Sequence, residues 1–147
     1  MQDQAKTKNQ GVEVKGIKTI FIGTLLLSSL ISASVYAFSD AQLCQAGMAT
    51  SDGHSAKAVK VISSKKGLVD VSYLRPEDKK HFKYRCKITP SEVLWMDEYS
   101  GGKWSKNTRI FYKVLAKNKL EIRVTFSGEL PENSQDADIR LFSNKDF

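Results

Sequence analysis

Few side chains in this chain have the types and spacing that chemistry needs. Ser51-Asp52-Gly53-His54 places a hydroxyl, a carboxylate and an imidazole side by side. A nucleophile also needs a base in hydrogen-bond reach and an orienting group behind it, and adjacency along the chain does not supply that geometry. The segment reads instead as a turn. His81 lies beside Lys79, Lys80 and Lys83 and reads as a solvated imidazole. Paired carboxylates run glycoside hydrolysis when one of them is buried and its pKa is raised. The pairs here are Glu77-Asp78, in a turn, and Asp97-Glu98, at the end of a strand, and both are expected to be exposed. Cys44 and Cys86 with His54 and His81 lack the paired spacing of a zinc site. The expectation is therefore no catalytic residue, no metal and no cofactor.

Charge carries more information. The chain has a formal net charge of +7. Residues 57–123 hold 17 Lys and Arg against 7 Asp and Glu, whereas residues 128–147 hold 5 acids against Arg140 and Lys145. Lys83, Arg85 and Lys87 alternate along one strand and form a basic row, which Arg123, Arg109 and Lys113 are expected to join from neighbouring strands. Tyr99 and Trp104 flank a glycine turn next to these strands. Basic side chains with aromatics suit a carboxylate-rich protein, an anionic polymer or a sugar polymer. The alternative is an ordinary solvated sheet face.

Compartment follows from the N-terminal part and from the cysteines. Thr19 to Ser39 is an uncharged run of 21 residues preceded by Lys15 and Lys18. Two readings stand. Val35-Tyr36-Ala37 ends an export signal, so that residues 1–37 are removed and 38–147 form one exported domain. Or the run stays as an anchor, long enough to span roughly 30 Å of bilayer, with the domain outside. Either way the domain is periplasmic or secreted, which disfavours nucleic acid and makes the membrane a partner only if the leader is kept. In an oxidising compartment Cys44 and Cys86 are expected to form one disulfide, worth roughly 2–4 kcal/mol.

The elements that must position these side chains are legible in the periodicity. Ser39 with Gln42 fits a capping box for a short helix over 40–50, with Cys44 on its buried face. From residue 57 the period becomes two. Strands are expected over 56–63 (Val59, Val61), 68–74, 81–88, 91–98, 108–115 (Ile110, Tyr112, Val114), 119–126 (Leu120, Ile122, Val124 and Phe126 inward) and 137–142, the last through Ile139 and Leu141. Lys65-Lys66-Gly67, Ser100-Gly101-Gly102 and Lys117-Asn118-Lys119 make short turns, and Arg75-Pro76-Glu77-Asp78 a turn with Pro in second place. Residues 129–136 read as a mobile loop. The fold class is α+β, mainly β: one helix on an antiparallel meander of about seven strands, as a curved sheet or an up-and-down barrel, with the disulfide pinning helix to sheet.

Cys44, the Tyr73-Leu74-Arg75-Pro76-Glu77-Asp78 stretch, Tyr84-Arg85-Cys86-Lys87 and Trp95 together resemble small exported proteobacterial proteins of uncharacterised function. The resemblance brings no activity. It implies that Arg75, Pro76 and Asp78 are more than random turn residues: either an Arg75–Asp78 ion pair holds the turn, or the turn is a binding loop. The function expected is a non-enzymatic periplasmic binding module, inhibitor-like or immunity-like, that engages an envelope protein or anionic polymer through its basic sheet face. A membrane-anchored structural subunit of an envelope assembly is the alternative. A cell-wall sugar enzyme and a small-ligand binder stand behind these two.

Overall fold

Ser39 begins the first element in the way its sequence requires. Its hydroxyl accepts from the Gln42 N–H at 3.2 Å, and the Gln42 side chain accepts from the Ser39 N–H at 2.9 Å. Two orphan donors of α1 (Asp40–Ser51) are thereby satisfied. The computed structural model describes residues 38–132 and 134–147. The export signal or anchor expected over residues 1–37 lies outside the described residues. Among the described residues no helix is long and apolar enough to cross a membrane.

Seven strands follow: β1 (Val59–Lys65), β2 (Leu68–Leu74), β3 (His81–Ile88), β4 (Glu92–Asp97), β5 (Arg109–Ala116), β6 (Lys119–Thr125) and β7 (Asp138–Phe142). They form one antiparallel sheet in sequence order. The sheet curls into a half-barrel and stays open, because β1 and β7 are edges that do not pair. α1 contacts every strand. Burial therefore extends around most of the helix, from Leu43 and Cys44 through Ala46, Gly47, Met48, Ala49 and Thr50, rather than along the single face its sequence suggested. Small side chains permit this close approach. A Cβ on Gly47 would stand 3.0 Å from Ile110 Cγ2, so the lost helix propensity of a central glycine is offset by packing against β5. The buried Thr50 hydroxyl donates to the Ala46 carbonyl at 2.8 Å.

Cys44 on α1 and Cys86 on β3 are joined in a disulfide with Cα atoms 5.9 Å apart, both fully buried. The core around it is Val69, Val71, Val93, Ile110, Leu120, Ile122 and Val124 from the sheet with Met48 from the helix. Phe38 and Phe142 close one end, with Phe147 packed on both rings at 6.0 Å.

Five apolar residues sit differently from the periodic expectation. Val61, opposite Val71 on the edge strand β1, is exposed just before a bulge between Val61 and Ser63. Val114 is exposed next to a second bulge near the end of β5. Phe126 lies past the end of β6, where the chain turns through Ser127 and Gly128, and it too is exposed. On β7 Ile139 and Leu141 face outward, while Arg140 turns toward α1 and donates to the carbonyls of Ala49 and His54 at 3.0 and 2.5 Å. A guanidinium there satisfies carbonyls at the helix C-terminus and lies at the negative end of its dipole.

The meander sorts its connections. The tight turns at 66–67, 89–91 and 117–118 all lie at one end of the sheet. The connections at 75–80, 98–108 and 126–137 lie at the other, together with the C-terminus of α1.

Candidate functional site

The loop-bearing end is assembled from the β2–β3 turn upward. Arg75 N–H donates to the Lys80 carbonyl at 2.9 Å, and Lys79, at φ 57°, donates to the Arg75 carbonyl at 3.0 Å. The Arg75 guanidinium grips Asp78 through two bonds, 2.8 Å from Nε to Oδ1 and 2.5 Å from Nη2 to Oδ2. Asp78 also accepts from the Lys80 N–H at 3.1 Å. Those contacts, the arginine's first, hold the Asp78 carboxyl far below the usual carboxylate range. Pro76 has no N–H to satisfy and fits the second turn position. The ion pair expected from the sequence is thus present, and Arg75 also lies over the Phe82 ring at 5.1 Å.

Lys80 joins this turn to the next loop. Its ammonium is 5.2 Å from the Phe82 ring centre and 5.9 Å from that of Tyr99. The 98–108 loop is itself fixed at many points. Tyr99 N–H donates to Asp97 at 3.0 Å, Ser105 N–H to the Trp95 carbonyl at 2.8 Å, and Trp95 Nε1–H to the Thr108 carbonyl at 3.0 Å. Gly128 N–H donates to the Asn107 carbonyl at 2.8 Å, so the 126–137 connection is fastened to the same loop. A cleft of about 500 Å³ lies between the end of β4 and this loop, lined by Trp95, Tyr99, Lys103, Trp104, Lys106 and Asn107 among others. Tyr99 is 70% exposed. Arg75, Pro76, Asp78, Tyr99 and Trp104, far apart in sequence, therefore share one end of the sheet.

Beneath them is a cluster that sequence reasoning missed. Asp52 caps the C-terminus of α1 and accepts from the Tyr84 hydroxyl at 2.7 Å. His54 stacks on Tyr73 with ring centres 3.9 Å apart, and its Nδ1 is 3.1 Å from the Tyr73 hydroxyl. Burial pushes the Asp52 carboxyl above its ordinary value, and burial together with the bond to Asp52 pushes the Tyr84 phenol well above its own. Arg75 and Phe82 complete a cleft of about 210 Å³. Ser51 ends α1 and Asp52-Gly53 form the expected turn, but the Asp52 and His54 side chains reach tyrosines on β3 and β2. No local signal in the sequence marks that contact. In this arrangement Asp52 and His54 engage phenols and brace the helix end.

The basic residues of the sheet face are distributed over two regions. Lys83, Arg85 and Lys87 point outward from β3, as their alternation implied. Arg85 is paired with Asp70 on β2 at 2.6 Å, which lowers the Asp70 carboxyl. β4 then interposes Glu92, Leu94 and Met96. Beyond it Arg109 binds Glu92 through two bonds of 3.0 Å and lies over Phe111, while Arg123 reaches Glu121 at 3.9 Å and the Pro131 carbonyl at 3.3 Å. Lys113 lies opposite Glu121 in register. Three of the six cations thus have carboxylate partners. His81 is exposed at the start of β3. Among the described residues no group of three metal-ligating side chains converges. Comparison with protein-family models, with curated proteins and with solved structures returns no match.

Proposed function

We propose that this chain is a non-enzymatic binding module of the cell envelope that captures an anionic partner through the loop-bearing end of its sheet. The observation that carries the reading is the convergence of the β2–β3 turn and the 98–108 loop, bridged by Lys80 between Phe82 and Tyr99. A disulfide-stapled frame holds these loops, and rigid loops on a fixed scaffold are a common place for recognition. The excess of Lys and Arg over residues 57–123 would steer an acidic envelope protein or polymer toward them. The disulfide fits an oxidising compartment, and with the export reading of the leader it argues for the periplasm.

Crosslinked capture in living cells tests this with two variants. One carries Lys80→Glu, Lys103→Glu and Lys106→Glu at the loop end. The other carries Lys83→Glu, Arg85→Glu and Lys87→Glu on the sheet face. Loss of the partner only in the first is the expected result. Loss only in the second would move the binding surface to β3, and capture unchanged in both would overturn the reading. The mass of the tagged chain itself also reports whether it starts at Phe38, with the leader removed, or at Met1, as the anchored alternative requires.

A further inference from the structure

We infer that the cleft under the 98–108 loop is a saccharide site that takes a sugar ring bearing a carboxylate. This rests on the reading of the loop end as the binding end and names the chemistry of its ligand. The cleft, about 500 Å³, is a shallow, open groove of the size of a few sugar rings. Its walls are aromatic: Trp95, Tyr99 and Trp104. The polar groups that shape the loop are already engaged with one another. Trp95 Nε1–H and the Ser105 hydroxyl both donate to the Thr108 carbonyl, and the Ser100 hydroxyl donates to that of Asp97.

What remains free is mainly donating. Among the described residues the Trp104 indole N–H, the ammonium groups of Lys103 and Lys106 and the side-chain amide of Asn107 have no protein partner. Most of these groups donate, and two are charged, beside apolar ring faces; the Asn107 amide oxygen adds a neutral acceptor, and the Asp97 carboxylate, which already takes the Tyr99 N–H at 3.0 Å, is the one acid of the lining against the two lysines. A ligand that matches them offers many oxygen acceptors, a negative charge and a flat C–H face. An acidic sugar has all three, while an acidic peptide segment matches the charge and leaves the aromatic walls without a counterpart. The loop is fixed in advance through Gly128 and Trp95, so little ordering opposes binding.

The chain has two tryptophans, which makes the test internal. In ¹⁵N-labelled protein titrated with oligogalacturonate, the Trp104 indole resonance should move along a saturable curve. That of Trp95, whose N–H is bonded to the Thr108 carbonyl, should move less, and unshifted amides of β2 and β6, away from the cleft, report an intact fold. Trp104→Ala should weaken binding about tenfold, as expected for a lost aromatic contact. Lys103→Gln should weaken it several-fold and reduce its salt dependence. Equal binding of a neutral oligogalactose would overturn the need for charge. Equal binding of polyglutamate, indifferent to Trp104→Ala, would overturn the saccharide while leaving the binding end standing. No movement of Trp104 with any probe would overturn the site, and the capture experiment would then decide the loop end separately.

Discussion

Asp52, Asp70, Asp78 and Asp146 give the folded chain two opposing pH responses. Asp52 is raised by burial, so the folded state holds its proton more tightly than the unfolded state does. Its contribution is fully present below the unfolded value, about 4 for a carboxyl, and is lost as pH rises through the folded value. Asp70, Asp78 and Asp146 are lowered, first by hydrogen bonds from Arg85, Arg75 and the Ser143 backbone respectively. Their contributions are present above the unfolded value and lost as pH falls through the folded ones. Asp52→Asn should therefore gain on the wild type as pH rises from about 4 to about 7, measured by urea unfolding across that range. A constant difference would mean that the carboxyl is not buried in solution. The contrast between these residues also shows what was readable in advance. Arg75 and Asp78 are three positions apart in a proline turn, so their pairing is local. Asp52 and His54 meet tyrosines 32 and 19 positions away, a contact that depends on where the helix end lands on the sheet.

Elements were legible wherever one face of a strand is buried, because alternation then has a single solution. β2 and β3 run over the residues expected, and the turns between strands fall where glycine, proline and asparagine cluster. Edges and strand ends were less legible. The bulges of β1 and β5 and the outward Ile139 and Leu141 depend on which strands lack a neighbour and on how tightly the sheet curls. Gly128 has φ 75°, and a Cβ there would stand 2.9 Å from the Lys106 carbonyl oxygen. Gly128→Ala should cost about 1–3 kcal/mol in denaturant unfolding and speed exchange of the amides that join the 98–108 and 126–137 connections. A neutral effect would show that these loops are not fastened together in solution. Arg140→Met keeps most of the unbranched stem but leaves the Ala49 and His54 carbonyls without their donor. It should cost about 1–3 kcal/mol, and a cost near zero would show that water replaces the guanidinium there.

In the whole molecule one covalent bond ties the two layers, and its position connects stability to the binding end. Cys86 pairs in register with Trp95 on β4, and Trp95 forms a wall of the aromatic cleft. Cys44 lies on the helix that fills the curl of the sheet, where a closed barrel would hold a ligand. Pairing of the only two cysteines was readable from their number together with the expectation of export. The open sheet was not, since closure depends on whether β1 and β7 meet. Replacing both cysteines by alanine removes a cross-link between residues 42 apart. In the chain-entropy account that costs about 2–4 kcal/mol, acting mainly on the unfolded state. The core of Val69, Val71, Ile110, Ile122 and Met48 is untouched by the change, so the variant should still fold. Its denaturant slope should rise, because the unfolded chain is no longer held compact. Both indole resonances should keep their positions, because the bond between Trp95 and Thr108 persists without the disulfide. An unchanged slope with a collapsed Trp95 signal would point the other way, to a disulfide that shapes the native cleft.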